Sequence, residues 1–142
     1  MADRRVTVQV PASTSNLGSG FDALGLALQI HSRYDVTFVD DGPPFEIEAT
    51  GLNAERIPTD EGNLALQAFW KLCEAVGHEP PSIRMRVLNG IPLERGLGGS
   101  ASAILGGLLA ANAAVPEPLE DDDLLALATD MDGHADNVTA SL

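Results

Sequence analysis

Between Ile91 and Ala103 the chain reads Ile-Pro-Leu-Glu-Arg-Gly-Leu-Gly-Gly-Ser-Ala-Ser-Ala, a glycine-rich turn that runs into an apolar, alanine-rich stretch. Glycines at 96, 98 and 99 let the backbone come close to a ligand, and the first N–H groups of a helix beyond them favour an anion. The chemistry this suits is the binding of a nucleotide phosphate. The competing explanation is a plain turn before a packed helix, with Ser100 as its cap. Two better-known glycine motifs fit poorly. A Walker A loop needs Gly-Lys-Ser/Thr, and no lysine is present here; a dinucleotide fingerprint needs a strand directly before its first glycine.

Two further clusters carry polar chemistry. Pro11-Ala-Ser-Thr-Ser-Asn-Leu-Gly-Ser-Gly-Phe-Asp22 gathers hydroxyls, an amide, two glycines and a carboxylate. Asp22 and Asn16 could grip an ammonium and a hydroxyl, or the loop could satisfy itself through Asx and Ser/Thr turns. Asp132-Gly-His-Ala-Asp-Asn-Val138 is the other cluster. There Asp132 or nearby Asp130 could bind magnesium, and His134 or Asn137 could touch a substrate. The alternative is that Gly133 ends one helix and Asp136 or Asn137 caps the next. His31 and His78 read as ordinary surface or loop histidines.

The elements that must position these clusters follow from periodicity. Arg5–Val10 alternates as a strand and stops at Pro11. Tyr34–Val39 and Phe45–Ala49 repeat that alternation, and the three runs together predict an antiparallel meander. The spacing from Asn63 to Val76 predicts a helix with Asn63 as its cap and Gly77 at its end. Ser82–Leu88 returns to strand alternation, the glycine turn leads into a long apolar helix, and an acidic-capped helix covers Leu119–Met131. The fold class is α+β, with helices packed on a mixed or antiparallel sheet.

Composition narrows the function. The 142 residues suit one domain, and 44% apolar content is enough for a core. A net charge of −13 with eight basic residues argues against nucleic acid and anionic membrane surfaces, which are bound through Lys and Arg. The same imbalance suits a salt-rich cytoplasm as well as an ordinary acidic protein. Cys73 is alone, so neither a disulfide framework nor a Cys/His zinc site is expected. Gly96–Val115 carries no charge, but its Gly, Ala and Ser content, internal Asn112 and lack of flanking aromatics point to a buried helix instead of a membrane span. The N-terminus lacks a secretory pattern, and a cytoplasmic protein is expected.

Taken in order, the three clusters are more specific than any one of them. The chain resembles the homoserine kinase family of the GHMP kinase superfamily, over nearly its whole length. Pro11–Leu28 is similar to that family's opening motif, Pro92-x-x-x-Gly-Leu-Gly-Gly-Ser-Ala101 to its phosphate loop, and Gly133–Val138 to its third landmark. The resemblance implies a GHMP kinase N-terminal domain over residues 1–142, of the ribosomal protein S5 domain 2-like fold, with the family's C-terminal domain absent from the chain. It implies ATP and Mg2+, and phosphorylation of L-homoserine in threonine biosynthesis. It assigns ATP binding to Asn63, Pro92, Arg95, Gly96, Leu97, Gly98, Gly99, Ser100, Ala101 and Ser102, with Asn63 against adenine. Asn16, Asp22, His134 and Asn137 would surround homoserine, with Asp22, Asn137 and Ser100 in catalytic roles. Ser100 and either Asp130 or Asp132 would ligate the metal.

Departures from the pattern are Gly99 where serine is more usual, Ser102 for alanine, and aspartates for glutamates before Gly133. The family continues beyond the point where this chain stops at Leu142, so an apolar edge open there would favour a homodimer. A second expectation is a non-catalytic nucleotide-binding or scaffold portion.

Overall fold

The computed structural model describes residues 4–11, 31–90 and 99–132. Its strands are β1 (Arg4–Pro11), β2 (His31–Val39), β3 (Phe45–Gly51) and β4 (Ser82–Asn89). Its helices are α1 (Leu64–Ala75), α2 (Gly99–Ala114) and α3 (Asp121–Asp132), with a short 3-10 turn at Ala54–Arg56. β2 starts at His31, so the alternation extends back through Ser32 and Arg33 into a stretch read from sequence as the approach to the strand.

The four strands lie in the order β1-β2-β4-β3. β2 is antiparallel to both β1 and β4, while β3 is parallel to β4. The expected meander therefore fails at its third strand. Parallel neighbours need a crossover, which α1 supplies between β3 and β4. β4, buried at every second residue, takes the central place, and β3, with Glu46 and Glu48 outward, takes the edge.

Register sets the two faces of the sheet. Pairing of Val8 with Tyr34, Val36 with Met85 and Tyr34 with Val87 turns these side chains to one side, where the helices cover them. The opposite face carries Arg5, Thr7, Arg33, Asp35, Arg84 and Arg86. Asp35 is buried there and accepts hydrogen bonds from Arg5 Nη2 at 2.9 Å, Thr7 Oγ1 at 2.9 Å and Arg33 Nε at 3.0 Å. Burial pushes its pKa up, but these donors and the Arg33 charge outweigh burial and hold it below the ordinary carboxylate value.

α1 forms because Ala65, Leu66, Ala68, Phe69, Leu72 and Cys73 make one buried stripe. It ends in a Schellman turn: Gly77 N–H donates to Glu74 O at 3.1 Å, and His78 N–H to Cys73 O at 2.9 Å. Phe69 meets Phe38 with ring centroids 6.2 Å apart, and Trp70 meets Phe45 edge-on at 5.6 Å, which seats α1 on the sheet.

α2 is apolar on every side because it has no solvent-facing stripe to keep polar: its inner residues pack on both the sheet and α1. Gly106 and Gly107 make that double contact feasible. A Cβ on Gly106 would run into the Tyr34 ring of β2, and one on Gly107 into the Ala65 carbonyl of α1. At its far end, Arg4 Nη2 donates to Ala113 O at 2.7 Å, satisfying a terminal carbonyl. Among the described residues no helix is long and apolar enough to cross a membrane. Asn112 then fixes the turn into α3 through both ends of its amide, accepting from Leu119 N at 2.7 Å and donating to Leu119 O at 3.1 Å.

Candidate phosphate-binding site at the start of α2

Strand register brings the flanks of the chemically interesting loops together. Pro11 pairs with His31, so the end of β1 lies beside the start of β2. Arg33 pairs with Leu88, which sets the end of β4 beside the start of β2. Ser102, in the first turn of α2, lies with its Oγ 3.4 Å from Tyr34 Oη of β2. Pro11, His31, the end of β4 and the first turn of α2 thus lie at one end of the sheet.

Gly99, Ser100, Ala101 and Ser102 form the first turn of α2. The N–H groups of a helix's first turn have no intrahelical acceptor, and here no acidic side chain stands among them. Neighbouring helices differ. α1 is capped by Asn63, whose Oδ1 accepts from Leu66 N at 3.1 Å, and α3 begins with Asp121, Asp122 and Asp123. No acidic residue opposes an anion at the start of α2, as three aspartates would at the start of α3.

The residues expected at the site divide as follows. Gly99, Ser100, Ala101 and Asp132 have helical backbone positions, at the first turn of α2 and the last residue of α3. Ser102 is 1% exposed and faces Tyr34, so its hydroxyl serves the interior contact of α2. Asn63 is 3% exposed with its amide engaged at both ends, Nδ2 donating to Pro58 O at 2.9 Å besides the cap to Leu66. Asp130 is on the surface, 3.2 Å from the Nζ of Lys71. Asn16, Asp22, Pro92, Arg95, Gly96, Leu97, Gly98, His134 and Asn137 lie outside the described residues. Among the described residues no three His, Cys, Asp or Glu side chains cluster as metal ligands.

One group went unrecognised in the sequence. Ser32 Oγ donates to Asn89 Oδ1 at 2.8 Å, and Asn89 Nδ2 donates to Leu52 O at 2.8 Å. Gly90 N–H, at the root of the glycine turn, donates to Ser32 Oγ at 3.3 Å. Burial raises the pKa of the neighbouring Tyr34 phenol, and hydrogen bonding with Ser102 and Ser32 offsets part of that rise. A signal was available: Ser32 and Asn89 are polar residues in register positions where β2 and β4 otherwise turn Tyr34, Val36, Met85 and Val87 inward.

Comparison with known proteins decides the family. The model of the GHMP kinases N terminal domain matches residues 63–142. The chain belongs to the GHMP kinase family. Among curated GHMP kinases, it is 47% identical over 137 residues to homoserine kinase of Trichormus variabilis, covering 96% of this chain and 45% of that protein. It is 44% identical over 142 residues to homoserine kinase of Caldanaerobacter subterraneus, covering 100% of this chain and 45% of the relative. The chain thus spans less than half the length of the curated relatives it matches. The crystal structure of homoserine kinase from Cytophaga hutchinsonii superposes with a TM-score of 0.74 at 25% identity, over 95% of this chain and 45% of that one. Mevalonate kinase of Methanococcus jannaschii shares the fold, with a TM-score of 0.64 at 18% identity, over 99% of this chain and 51% of its own.

Proposed function

We propose that this chain is the N-terminal, ATP-binding portion of a homoserine kinase that phosphorylates the hydroxyl of L-homoserine in the cytoplasm, within threonine biosynthesis. The observation that carries the substrate assignment is 44–48% identity to homoserine kinases across almost all of the chain. The phosphate assignment is supported by the start of α2, with glycines before it in the sequence and no acidic residue in its first turn, where helical N–H groups have no intrahelical acceptor.

In this reading Gly96–Ser100 and the first turn of α2 hold the ATP phosphates, with Pro92, Arg95, Leu97, Ala101 and Ser102 shaping the loop and its seat. Asn63 shapes the adenine side by fixing Pro58 against the start of α1. Asp22 holds the homoserine ammonium, and Asn16, His134 and Asn137 surround the rest of that substrate. The substrate hydroxyl oxygen forms a bond to the γ-phosphorus as the bond to the β,γ-bridging oxygen breaks, and the hydroxyl proton is released. A loose transition state of this kind needs positioning and charge neutralisation more than a strong base, which matches a site of backbone N–H groups. Magnesium, when bound, supplies further neutralisation of the phosphates. Ser100 and either Asp130 or Asp132 are the residues we assign to hold it, with Asp130 3.2 Å from Lys71 Nζ on the surface.

The test is magnesium-dependent ADP release from ATP with and without L-homoserine, using the chain alone and the chain joined to the C-terminal half of a homoserine kinase relative. Homoserine-dependent turnover in either form, lost in Ser100→Ala, is the expected result. Turnover only in the joined form assigns nucleotide binding to this portion and completion of the site to the other. No homoserine-dependent turnover in a folded joined protein overturns the assignment. Asp22→Asn should weaken homoserine binding more than ATP binding; equal effects on both would remove Asp22 from the substrate site.

A further inference from the structure

Burying a polar side chain costs free energy unless its hydrogen bonds are made, so the places where a small core accepts that cost are informative. Among the described residues the buried polar side chains are Ser32, Asp35, Asn63, Asn89 and Ser102. Asp35 belongs to the outer sheet face, and Asn63 caps α1. The other three, joined by the Tyr34 hydroxyl, all sit at the two flanks of residues 91–98.

On one flank, Ser32 Oγ accepts from Gly90 N–H at 3.3 Å while donating to Asn89 Oδ1 at 2.8 Å. Asn89 in turn holds both polar groups of Leu52, its Nδ2 donating to Leu52 O at 2.8 Å and its O accepting from Leu52 N at 2.8 Å. On the other flank, Tyr34 Oη contacts Ser102 Oγ at 3.4 Å. Ser32 and Tyr34 are two residues apart on the same face of β2, so their Cα atoms are separated by about 6.6 Å. Gly90 and Ser102, twelve positions apart in sequence, are therefore referred to nearly the same spot on one rigid strand.

We infer that Ser32 and Asn89, with Tyr34 and Ser102, are positioning residues that fix the spacing between the end of β4 and the start of α2, and so set the phosphate affinity of the first turn of α2. They act through Gly90 and the first turn of α2. The affinity part of this inference rests on the proposed nucleotide role; the spacing part does not. Ser32 is the residue whose loss is felt most, because its hydroxyl is both acceptor for Gly90 and donor to Asn89.

The experiment compares wild type, Ser32→Ala, Ser32→Thr, Tyr34→Phe and the core truncation Ile83→Val, which lies on the same sheet face away from the flanks. Each is measured for thermal midpoint, for Mg-ATP binding by calorimetry, and for amide hydrogen exchange across residues 88–103. Ser32→Ala should weaken Mg-ATP binding about tenfold and raise exchange at 90–101 selectively, with partial restoration in Ser32→Thr. Tyr34→Phe should have the smaller effect of the same kind. Ile83→Val should lower the midpoint without changing either of the other readouts. If Ser32→Ala leaves exchange at 90–101 unchanged, or raises it uniformly with the rest of the chain, the positioning role is overturned. If wild type binds no Mg-ATP, the nucleotide reading fails, and the selective exchange change alone decides the positioning role. Should Ser32→Ala fail to fold, Tyr34→Phe carries the same comparison, and an unchanged exchange pattern in it counts against the inference.

Discussion

α1 and α3 answer their N-terminal N–H groups from within the chain, the first with the Asn63 carboxamide and the second with three consecutive aspartates. α2 brings no acid to its first turn, although the protein carries a net charge of −13. A glycine run precedes α2 in the sequence, and in the proposed function its start is the one that receives charge from a ligand. The contrast extends to the opposite end of α2, where Arg4 satisfies the Ala113 carbonyl. An internal partner completes the structure there, whereas in the proposed function the N-terminal end meets a ligand.

The contrast depends first on α2 being held in place between sheet and α1. Gly107→Ala gains about 1 kcal/mol of helix propensity but places a methyl against the Ala65 carbonyl. The steric cost should win, and urea unfolding should show a net loss of about 2–3 kcal/mol. A more stable variant would mean that α1 and α2 are not in backbone contact.

The buried Asp35 carboxylate sharpens the same point from the outer face, since it is an anion that the fold itself holds with N–H and O–H donors. Asp35→Asn should cost about 2 kcal/mol at neutral pH, limited because Arg5 and Arg33 are exposed enough to regain water. Its folded pKa lies below the unfolded one, so its contribution is complete above the ordinary carboxylate value near about 3.9 and is lost as pH falls through the lower folded value. Stability curves of wild type and Asp35→Asn should therefore converge as pH drops below about 4. Parallel curves down to pH 2 would show that the three donors do not favour the charged form.

Removing the cap of α1 leaves the first-turn N–H of Leu66 without its side-chain acceptor. Asn63→Ala should cost about 1 kcal/mol in thermal or urea unfolding, and somewhat more through loss of the Pro58 contact. The smallest effect belongs to α3, where the aspartates are exposed. Asp122→Asn should lower stability by only about 0.3–0.5 kcal/mol at low salt and by less at high salt. An effect as large as that of Asn63→Ala would break the distinction between a buried cap and a solvated acidic turn.

Much of the architecture was legible in the sequence because it was local. Period-two alternation located β1, β3 and β4, and Asn63 with Gly77 bracketed α1 to within a residue. The order of strands was not legible. Whether β3 pairs with β2 or crosses over depends on how α1 packs, which the alternation of Phe45–Ala49 does not encode. The glycine run declared itself, yet the buried Ser32–Asn89 link at its root did not, because its meaning comes from contacts 57 positions apart. The Asn63 cap of α1 was legible as a local signal, whereas the Ser102–Tyr34 contact came only with the fold.

Calorimetric titration of Mg-ATP, and of adenosine as a phosphate-free control, into wild type and Ala101→Asp tests the central claim most directly. An aspartate in the first turn of α2 would give that helix the acid that α3 already carries. Wild type should bind Mg-ATP well above adenosine, and Ala101→Asp should lose at least tenfold in Mg-ATP affinity, about 1.4 kcal/mol, with adenosine binding and thermal midpoint little changed. Equal Mg-ATP affinity in the two folded proteins would contradict phosphate binding at the start of α2.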